Sequence, residues 1–548
     1  MFIHRIKRFY QKDLNSWWII SVVGVAVILL PILYIFFSLF QEPNENWFQI
    51  RQYLVKTYIA NTIILVLLTG MFTAFLGVTL AWLTSAYDFP LKRFFRWGLL
   101  LPLAIPPYIA AYTYRTMFSY TGVIQATLRN QFDYQINPEL LSISSLRGAV
   151  FIFTLFLFPY VYMMTRAFLE RQSASFFENA RLLGRKPIAI FIRVVLPLSR
   201  PAIVAGVVLV IYEVLSDYGV TSYFGIHTIS TAIFQTWFGM YDIDSAMRLA
   251  AWLMVIIVGL FFLERLLRKG RRYNVNQKSR PLVPMKLKGI KAVAAFSYCG
   301  IIFLLGFLIP LIQLSAWAKL TFHKVWNESF FILFFQTVYV AVIATILILL
   351  LAVLVANVCR THSAGSYILA KLATTGYSIP GAIIAIGVLA MFITLDQWLA
   401  PVYSSMGLGE APLVLSLSLV MLIVGYVIRF LATGFNAVEV GFEKWGTKYS
   451  EASRMLGLSM TKTFFKVDLP LLRGALISGF ILTFVEICKE LPLALLLRPF
   501  NFDTLATKTY QYAKDEMIYE ASIPSLMIIG ISVLSVVVFQ MIDRKVER

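Results

Sequence analysis

The sequence predicts an all-α integral membrane protein, with about twelve transmembrane helices arranged in two pseudo-symmetric halves of six. Three observations lead to this fold class: the apolar composition, the long hydrophobic runs, and a polar motif that occurs twice. Of the 548 residues, 59% are hydrophobic and 14% are charged, and the mean hydropathy is +0.77. A soluble domain carries about a quarter charged residues. The composition therefore places the chain in a lipid bilayer.

Twelve hydrophobic runs are long enough to cross the bilayer. A helix needs roughly 18 or more apolar residues to span the hydrocarbon core, and a helix satisfies the backbone polar groups that lipid cannot. The runs do not alternate between apolar and polar residues, as the strands of a membrane β-barrel would. The predicted spans lie near residues 17–40, 57–86, 94–118, 146–169, 200–222, 246–267, 291–317, 331–358, 367–395, 411–435, 471–496 and 521–542.

The basic residues predict a membrane topology and no nucleic-acid partner, although the net charge is +20. They cluster before the first span, between the sixth and seventh spans, and after the last. With an even number of spans, all three clusters fall on one side, and Lys and Arg mark the cytoplasmic side. We therefore expect a multi-pass membrane protein, surrounded by lipid, with both termini and the central linker on the cytoplasmic side. The clusters contain Arg5, Lys7, Arg8 and Lys12, then Arg265, Arg268, Lys269, Arg271, Arg272, Lys278 and Arg280, and finally Arg544, Lys545 and Arg548.

A charged motif between two spans occurs once in each half. Residues 178–197 read ENARLLGRKPIAIFIRVVLP, and residues 451–470 read EASRMLGLSMTKTFFKVDLP. In both, a Glu is followed six residues later by Gly, and Leu-Pro closes the motif; the offset is 451 − 178 = 273 residues. Both halves start inside, so the repeat is parallel, with its axis along the membrane normal. It predicts a first half over 1–268, a cytoplasmic linker over 269–290 and a second half over 291–548.

Each motif is expected to form two short helices on the cytoplasmic side. Gly184 and Gly457 are suited to the left-handed position that ends a helix. Pro187 suits the first turn of the next helix, and Ser459 can cap its counterpart in the second half. A charged helical loop that is presented twice on the inner face indicates docking to a soluble partner.

The two motifs resemble the EAA loops of ABC importer permeases, whose pattern is Glu-Ala-Ala, three residues, Gly, nine residues, Ile, one residue and Leu-Pro. The departures are Asn179, Ser453 and Val in place of Ile at Val194 and Val467, and they leave the spacing intact. The resemblance implies the type I ABC importer fold, with each loop seated in one subunit of a homodimeric ATPase. The coupling residues that it implies are Glu178, Ala180 and Gly184 in the first half and Glu451, Ala452 and Gly457 in the second.

The ATPase is expected to be another chain. A Walker A motif needs Gly, four residues and Gly-Lys-Ser/Thr to hold phosphates, and the nearest approach, GFEKWGTK at 441–448, has Thr and Lys in the wrong order. The sequence therefore predicts a transport subunit that is not an enzyme. We expect no permanently bound cofactor, with ATP held on the partner subunit.

Two pairs of acidic residues lie inside apolar runs, at equivalent positions of the two halves. Glu213 and Asp217 belong to the fifth span, and Glu486 and Glu490 to the eleventh, again at an offset of 486 − 213 = 273 residues. The spacing of four residues predicts that each pair lies on one helix face, and charged side chains at this depth are costly. We expect them to line a water-accessible pathway between the halves; a structural role, with Lys489 as a local partner, is the alternative.

Carboxylate oxygens suit hard cations, and acidic rings disfavour anionic cargo such as sulfate or phosphate. Tyr212, Tyr218 and Tyr223 lie near the first pair in the sequence. They are either additional oxygen ligands or ordinary interfacial aromatics. The residues alone therefore predict a cationic or cation-coordinating cargo.

A second resemblance narrows the cargo. Residues 212–242 and 489–516 are similar to the corresponding regions of ferric-iron importer permeases, and the similarity covers essentially the whole chain. It implies Fe³⁺ as the transported substrate, delivered by an iron-binding periplasmic or tethered binding protein to the outer segments 223–245 and 498–520. Two alternatives stay open: the same architecture importing thiamine or another organic cation, and an ion-driven secondary transporter.

Overall fold

The computed structural model confirms a helical membrane protein. Over the residues that it describes, ten helices are long and apolar enough to cross a membrane, and two further pairs, bent at short breaks, bring the number to twelve. The described residues are 16–134, 137, 142–171, 183–184, 186–268, 284–360, 364–407, 413–416 and 418–546.

The helices of the two halves follow each other in the same order. Those of the first half are α1 (Ser16–Ser38), α2 (Glu45–Tyr53), α3 (Val55–Ala86), α4 (Lys92–Gly98), α5 (Pro107–Phe118), α6 (Val123–Phe132), α7 (Leu146–Arg171), α8 (Pro187–Ile190), α9 (Leu196–Ser216), α10 (Gly219–Tyr223), α11 (Ile229–Met240) and α12 (Ile243–Arg268). Those of the second half are α13 (Ile290–Phe303), α14 (Ile309–Val325), α15 (Glu328–Cys359), α16 (Ala364–Thr374), α17 (Gly381–Ser405), α18 (Leu419–Trp445), α19 (Lys448–Met455), α20 (Met460–Thr463), α21 (Leu469–Leu471), α22 (Arg473–Lys489), α23 (Pro492–Leu497), α24 (Leu505–Lys514) and α25 (Ile518–Val546).

The internal repeat extends to individual hydrogen bonds. Helices α3 and α15 both contain 32 residues. In each half, a Thr hydroxyl on this helix accepts the first N–H of a short helix: Thr62 Oγ1 from Ile229 (3.1 Å) and Thr337 Oγ1 from Leu505 (2.9 Å). The first N–H groups of a helix have no partner within the helix itself. These two contacts therefore fix α11 on α3 and α24 on α15 in the same way.

The third and ninth predicted spans are interrupted by a proline. In the third, the pieces Lys92–Ala104 and Pro107–Phe132 meet at 90°. Ile105 and Ile379, the residues before Pro106 and Pro380, are both extended. A residue that precedes proline is disfavoured in the helical region, so the chain turns at the same place in both halves.

The tenth predicted span is displaced by about ten residues along the chain. The sequence places it near 411–435, whereas α18 runs from Leu419 to Trp445. The apolar stretch before it is held outside the helix by Asp396, which is buried and accepts the N–H groups of Leu415 (3.0 Å) and Ser416 (2.7 Å). Hydropathy alone does not reveal this side-chain contact. Because of it, Leu415 and Ser416 bond to a carboxylate and do not form the first turn of the helix.

The first helix of each half packs against the other half. Helix α1 lies on α15 and α17, where the Tyr34 and Thr394 hydroxyls are 3.1 Å apart. In the opposite direction, the Tyr114 hydroxyl of α5 donates to the Leu305 carbonyl between α13 and α14. Buried residues of both halves form one continuous apolar core. The halves of the sequence repeat therefore interlock in space.

One close helix contact gives a direct test of this interlocking. A Cβ added at Gly387 would lie 2.7 Å from both the Ile35 Cδ1 atom and the Pro31 carbonyl oxygen of α1. We expect Gly387→Ala to lower the free energy of unfolding by about 1–3 kcal/mol, as overpacking does. Gly259→Ala is the control, because a Cβ at Gly259 meets no atom within 4 Å. Thermal denaturation in detergent checks both, and equal melting temperatures would contradict the contact.

Candidate functional site

Each acidic pair straddles the end of a helix. Helix α9 ends at Ser216 and α22 at Lys489, and after each the chain begins a new short helix, α10 or α23. Asp217 Oδ1 accepts the N–H of Val220 at 2.8 Å, and Glu490 Oε1 accepts that of Leu493 at 3.4 Å. The expectation that each pair lies on one face of a continuous helix is therefore wrong: the second carboxylate follows the helix and accepts an N–H group in the first turn of the next one.

All four carboxylates line the same cavity. This cavity, of about 90 Å³, receives Glu213 and Asp217 from the first half and Glu486 and Glu490 from the second. Glu490 is buried, and the other three are half-buried. The sequence offset of 273 residues thus corresponds to two walls that face each other. The other charged or phenolic residues that line the cavity are Tyr108, Tyr160, Tyr212, Arg429 and Lys489.

Two cations share the cavity with the carboxylates. Lys489 Nζ lies 2.7 Å from Glu486 Oε1, the local pair that the sequence offered as an alternative. Arg429 on α18 lies with its Nε 3.6 Å from Glu490 Oε2, and its Nη1 donates to the Ile379 carbonyl at 2.6 Å. Sequence reasoning missed Arg429. Its signal was an ionisable residue inside an apolar run, the criterion that identified the carboxylates.

The two walls of the cavity are not equivalent. In the first half, Phe156 occupies the position that corresponds to Arg429 (429 − 273), and it also lines the cavity. Glu213 Oε1 accepts a hydrogen bond from the Tyr160 hydroxyl at 3.4 Å. Within the described part of the chain, no salt bridge involves Glu213 or Asp217, whereas both carboxylates of the second half have one.

Of the three tyrosines considered as oxygen ligands, the structure places one at the cavity and packs the other two against other side chains. Tyr212 lines the cavity. Tyr218 instead stacks on Phe234 with ring centroids 3.7 Å apart, and Tyr223 lies under the Arg115 guanidinium. Among the described residues, no group of three or more His, Cys, Asp or Glu side chains is arranged to hold a metal ion. The carboxylates therefore line the cavity without forming a joint set of metal ligands in this structure.

The two charged loops have the turn geometry that their sequences predict. Gly184 and Gly457 have φ of +70° and +86°, and Pro187 begins α8. Ser459 Oγ accepts the N–H of Lys462 and so caps α20. Each loop then enters its span through a π-helical turn, Phe191–Val195 or Phe464–Asp468, which was not foreseen. Glu178 and Ala180 lie outside the described residues.

The second loop is fixed to the end of α15 by a polar network. Arg360 Nη1 lies 2.9 Å from Asp468 Oδ2, and Ser450 Oγ donates to the other oxygen of the same carboxylate. The corresponding place in the first half is apolar and contains Trp82, Leu169, Ile190 and Val195. Glu451, Ala452 and Gly457 are exposed, and Leu183 and Leu456 present apolar side chains at equivalent positions (79% and 85% exposed).

One carboxylate holds the segment between α11 and α12. Asp242 accepts hydrogen bonds from the amides of Asn44 and Asn46 and from the N–H of Ser245. Burial alone would raise the pKa of Asp242, but these hydrogen bonds outweigh it and hold the pKa below its usual value. Tyr241, beside it, is 84% exposed, as is Phe500 (85%) in the corresponding segment of the second half.

The geometry predicts that water reaches the cavity. In a chain whose native cysteines are replaced by Ala, we expect Glu213→Cys to react with a small charged thiol reagent, because a thiol in contact with water forms the reactive thiolate. Leu347→Cys is the control: Leu347 is 43% exposed on a helix that is long and apolar enough to cross the membrane. Mass spectrometry measures the labelling. Equal, negligible labelling at both positions would exclude a wet cavity.

Comparison with known proteins agrees with this architecture. The Fe(3+)-transport system permease protein FbpB 2 of Haemophilus influenzae is 24% identical over 477 residues, which cover 86% of this chain and 87% of that protein. The ferric transport system permease protein FbpB of Actinobacillus pleuropneumoniae is 23% identical over 485 residues (84% and 68%). The sulfate transport system permease protein CysT of Salmonella typhimurium is 27% identical over 194 residues (35% and 68%).

A family match covers most of the chain in two segments. Residues 75–270 and 329–548 match the inner membrane components of binding-protein-dependent transport systems. One segment lies in each half of the repeat, and each contains one charged loop and one acidic pair. The chain therefore belongs to the family of binding-protein-dependent transport system inner membrane components.

Proposed function

We propose that this chain is the membrane-spanning subunit of an ATP-driven importer that moves ferric iron across the bacterial cytoplasmic membrane. The observation that carries the proposal is the set of four carboxylates, two from each half, that line one cavity at the seam. Hard oxygen donors match a hard trivalent cation. The ferric transport permeases that resemble this chain over more than four-fifths of its length support the same cargo.

The charge of the cavity supports a cation over an anion. Four carboxylates face two cations, and both cations are already paired with carboxylates of the second half. An acidic lining selects cations. Sulfate permeases are also relatives, but those matches cover less than half of this chain. Sulfate is therefore a control substrate, together with thiamine as the organic cation.

The inner loops are the proposed docking sites of a homodimeric ATPase. Gly184 and Gly457 have left-handed backbone, and the residues before them, Leu183 and Leu456, present exposed apolar side chains. The Arg360–Asp468 ion pair joins the second loop to α15, so a force on the loop reaches the spans through a buried contact. ATP binding and hydrolysis on the partner would thereby rock the halves and alternate the access of the cavity.

The outer segments 223–245 and 498–520 are the proposed docking surface of an iron-binding protein. Their exposed aromatic side chains, Tyr241 and Phe500, lie on segments that are tied to α3 and α15 by equivalent hydrogen bonds. Aromatic residues are enriched at protein interfaces. With this docking face outside, the two inner loops and both termini lie in the cytoplasm.

Transport by the assembled complex tests the proposal. The chain, its ATPase and its binding protein are reconstituted in vesicles, and uptake of radioactive Fe³⁺ is measured with ATP, without ATP and with an uncoupler. We expect uptake that needs ATP, resists the uncoupler and is unaffected by excess thiamine or sulfate. Uptake that persists without ATP and collapses with the uncoupler would identify a secondary transporter. Competition by thiamine would indicate that the cargo is thiamine and not Fe³⁺.

Gly457→Val should weaken coupling to the ATPase. A β-branched residue is strained at a φ of +86°, and the left-handed conformation costs roughly 1–2 kcal/mol for a residue with a Cβ. Gly474→Val is the control, because neither glycine has a neighbour within 4 Å of an added Cβ but Gly474 is helical. Co-purification of the ATPase measures the effect. Equal recovery with both variants would contradict the docking assignment.

Glu213→Gln should reduce Fe³⁺ uptake by about tenfold or more, a loss of roughly 1.4 kcal/mol in the stabilisation of the transported cation. The reason is that Glu213 is a pathway carboxylate without a salt-bridge partner among the described residues. Glu439→Gln is the matched control, since Glu439 lies on α18 outside the lining of the cavity. Unchanged uptake in Glu213→Gln at equal expression would return Glu213 to a structural role.

A further inference from the structure

The four carboxylates of the cavity differ in their bonding partners. Glu486 and Glu490 are paired with Lys489 and Arg429, while Glu213 accepts only the Tyr160 hydroxyl among the described contacts. The sequence repeat makes the acidic positions equivalent, so the difference comes from the residues around them. A cation that enters the cavity therefore meets two walls of different charge.

The second-half wall is neutralised by a buried and closely packed ion pair. The side chains of Arg429 and Glu490 are both 10% exposed, and Arg429 is fixed by its hydrogen bond to the Ile379 carbonyl. A Cβ at Gly381 would lie 2.5 Å from Glu490 Oε1, so no side chain fits between this carboxylate and the start of α17. Glu490 is thus enclosed on one side by backbone and on the other by a guanidinium.

The first-half wall offers an unused oxygen instead. Tyr108, in the first turn of α5, is only 5% exposed and lines the cavity. Its hydroxyl has no hydrogen-bond partner among the described residues. A buried polar group without a partner is uncommon and calls for an explanation. A cargo cation, or the water that it carries, would satisfy this oxygen.

We propose that the two walls have different tasks, an inference that rests on the proposed import of a cation. Glu213 accepts the cation, and the Tyr108 hydroxyl, which lines the same cavity, supplies a further oxygen. Arg429 is a specificity-determining residue that occupies Glu490 and keeps it from binding the cargo. On the second-half wall, Arg429 and Lys489 balance the charge of the carboxylates. On the first-half wall, the transported cation does so.

This assignment explains why a pathway for cations contains an arginine. If both walls were free, a highly charged cation could bind all four carboxylates at once and leave slowly, whereas passage requires binding that is weak enough for release. With the second wall occupied, fewer carboxylates hold the cation. A lone Arg429 without Glu490 would instead place an uncompensated positive charge in the route.

A set of variants separates the two possible roles of Glu490. Glu490→Gln leaves Arg429 as a lone cation, and we expect Fe³⁺ uptake in the reconstituted complex to fall by about tenfold. Removing both charges in Arg429→Phe/Glu490→Gln, with Phe copied from the corresponding Phe156, should restore uptake to within about threefold of the unaltered chain. If Glu490 binds the cargo directly, the double variant stays as low as Glu490→Gln, and the proposal is wrong.

Tyr108→Phe tests the first wall. Removing a hydroxyl without a partner should leave the melting temperature in detergent unchanged or slightly higher, while Fe³⁺ uptake falls. Unchanged uptake would contradict the role of this oxygen. As a folding check on the double variant, its melting temperature is compared with that of Arg429→Lys, which keeps the charge.

Binding of a probe ion gives a readout that does not depend on transport. Tb³⁺ is a hard trivalent cation, and nearby tyrosines sensitise its emission. With the full chain in nanodiscs, Glu213→Gln should abolish the sensitised signal, and the double variant should keep it. Loss of the signal in the double variant alone would overturn the proposal. If the unaltered complex imports another cation in place of Fe³⁺, the proposed function fails, and the same variants test this inference with that cation.

Discussion

The structure depends on the burial of charge between two halves that are otherwise apolar. Carboxylates inside a membrane are stable only where water, a cation or a hydrogen-bond donor reaches them. Here they lie at the seam, where the starts of α10 and α23 expose backbone N–H groups that donate hydrogen bonds to Asp217 and Glu490. The interruption of both helices at the cavity is therefore part of the same arrangement, since an unbroken helix would have no free N–H groups to offer. Irregular backbone at membrane depth occurs where it lines a cavity.

Sequence duplication did not produce a symmetric site. The backbone repeats closely, down to the hydrogen bonds of Thr62 and Thr337, but the residues around the acidic pairs have diverged. Phe156 and Arg429 occupy corresponding positions with opposite character. Of the two charged loops, the second is fixed by Arg360 and Asp468, and the first packs in an apolar cluster. The two halves thus share a backbone arrangement but differ in the side chains around the cavity and beside the charged loops.

Most of the fold follows from hydropathy and from the repeat, because both are properties of long stretches. The turns at Gly184 and Gly457 were also predictable, since each requires a backbone conformation that glycine favours. Single side-chain contacts between distant segments were not predictable. Asp396 displaced the tenth span by holding Leu415 and Ser416, and Arg429 reached Glu490 from a helix about sixty positions earlier in the chain. Hydropathy and local motifs do not indicate contacts between residues that are far apart in the sequence. The coupling roles of Glu178 and Ala180 stay predictions, because both residues lie outside the described part of the chain.

The exchange of α1 and α13 between the halves changes what can move as a unit. Helix α1 is wedged against α15 and α17 through Gly387 and Tyr34, while the region between α13 and α14 is tied to α5. A relative motion of the two halves would therefore either break the contacts of α1 with α15 and α17 or carry α1 along with the second half.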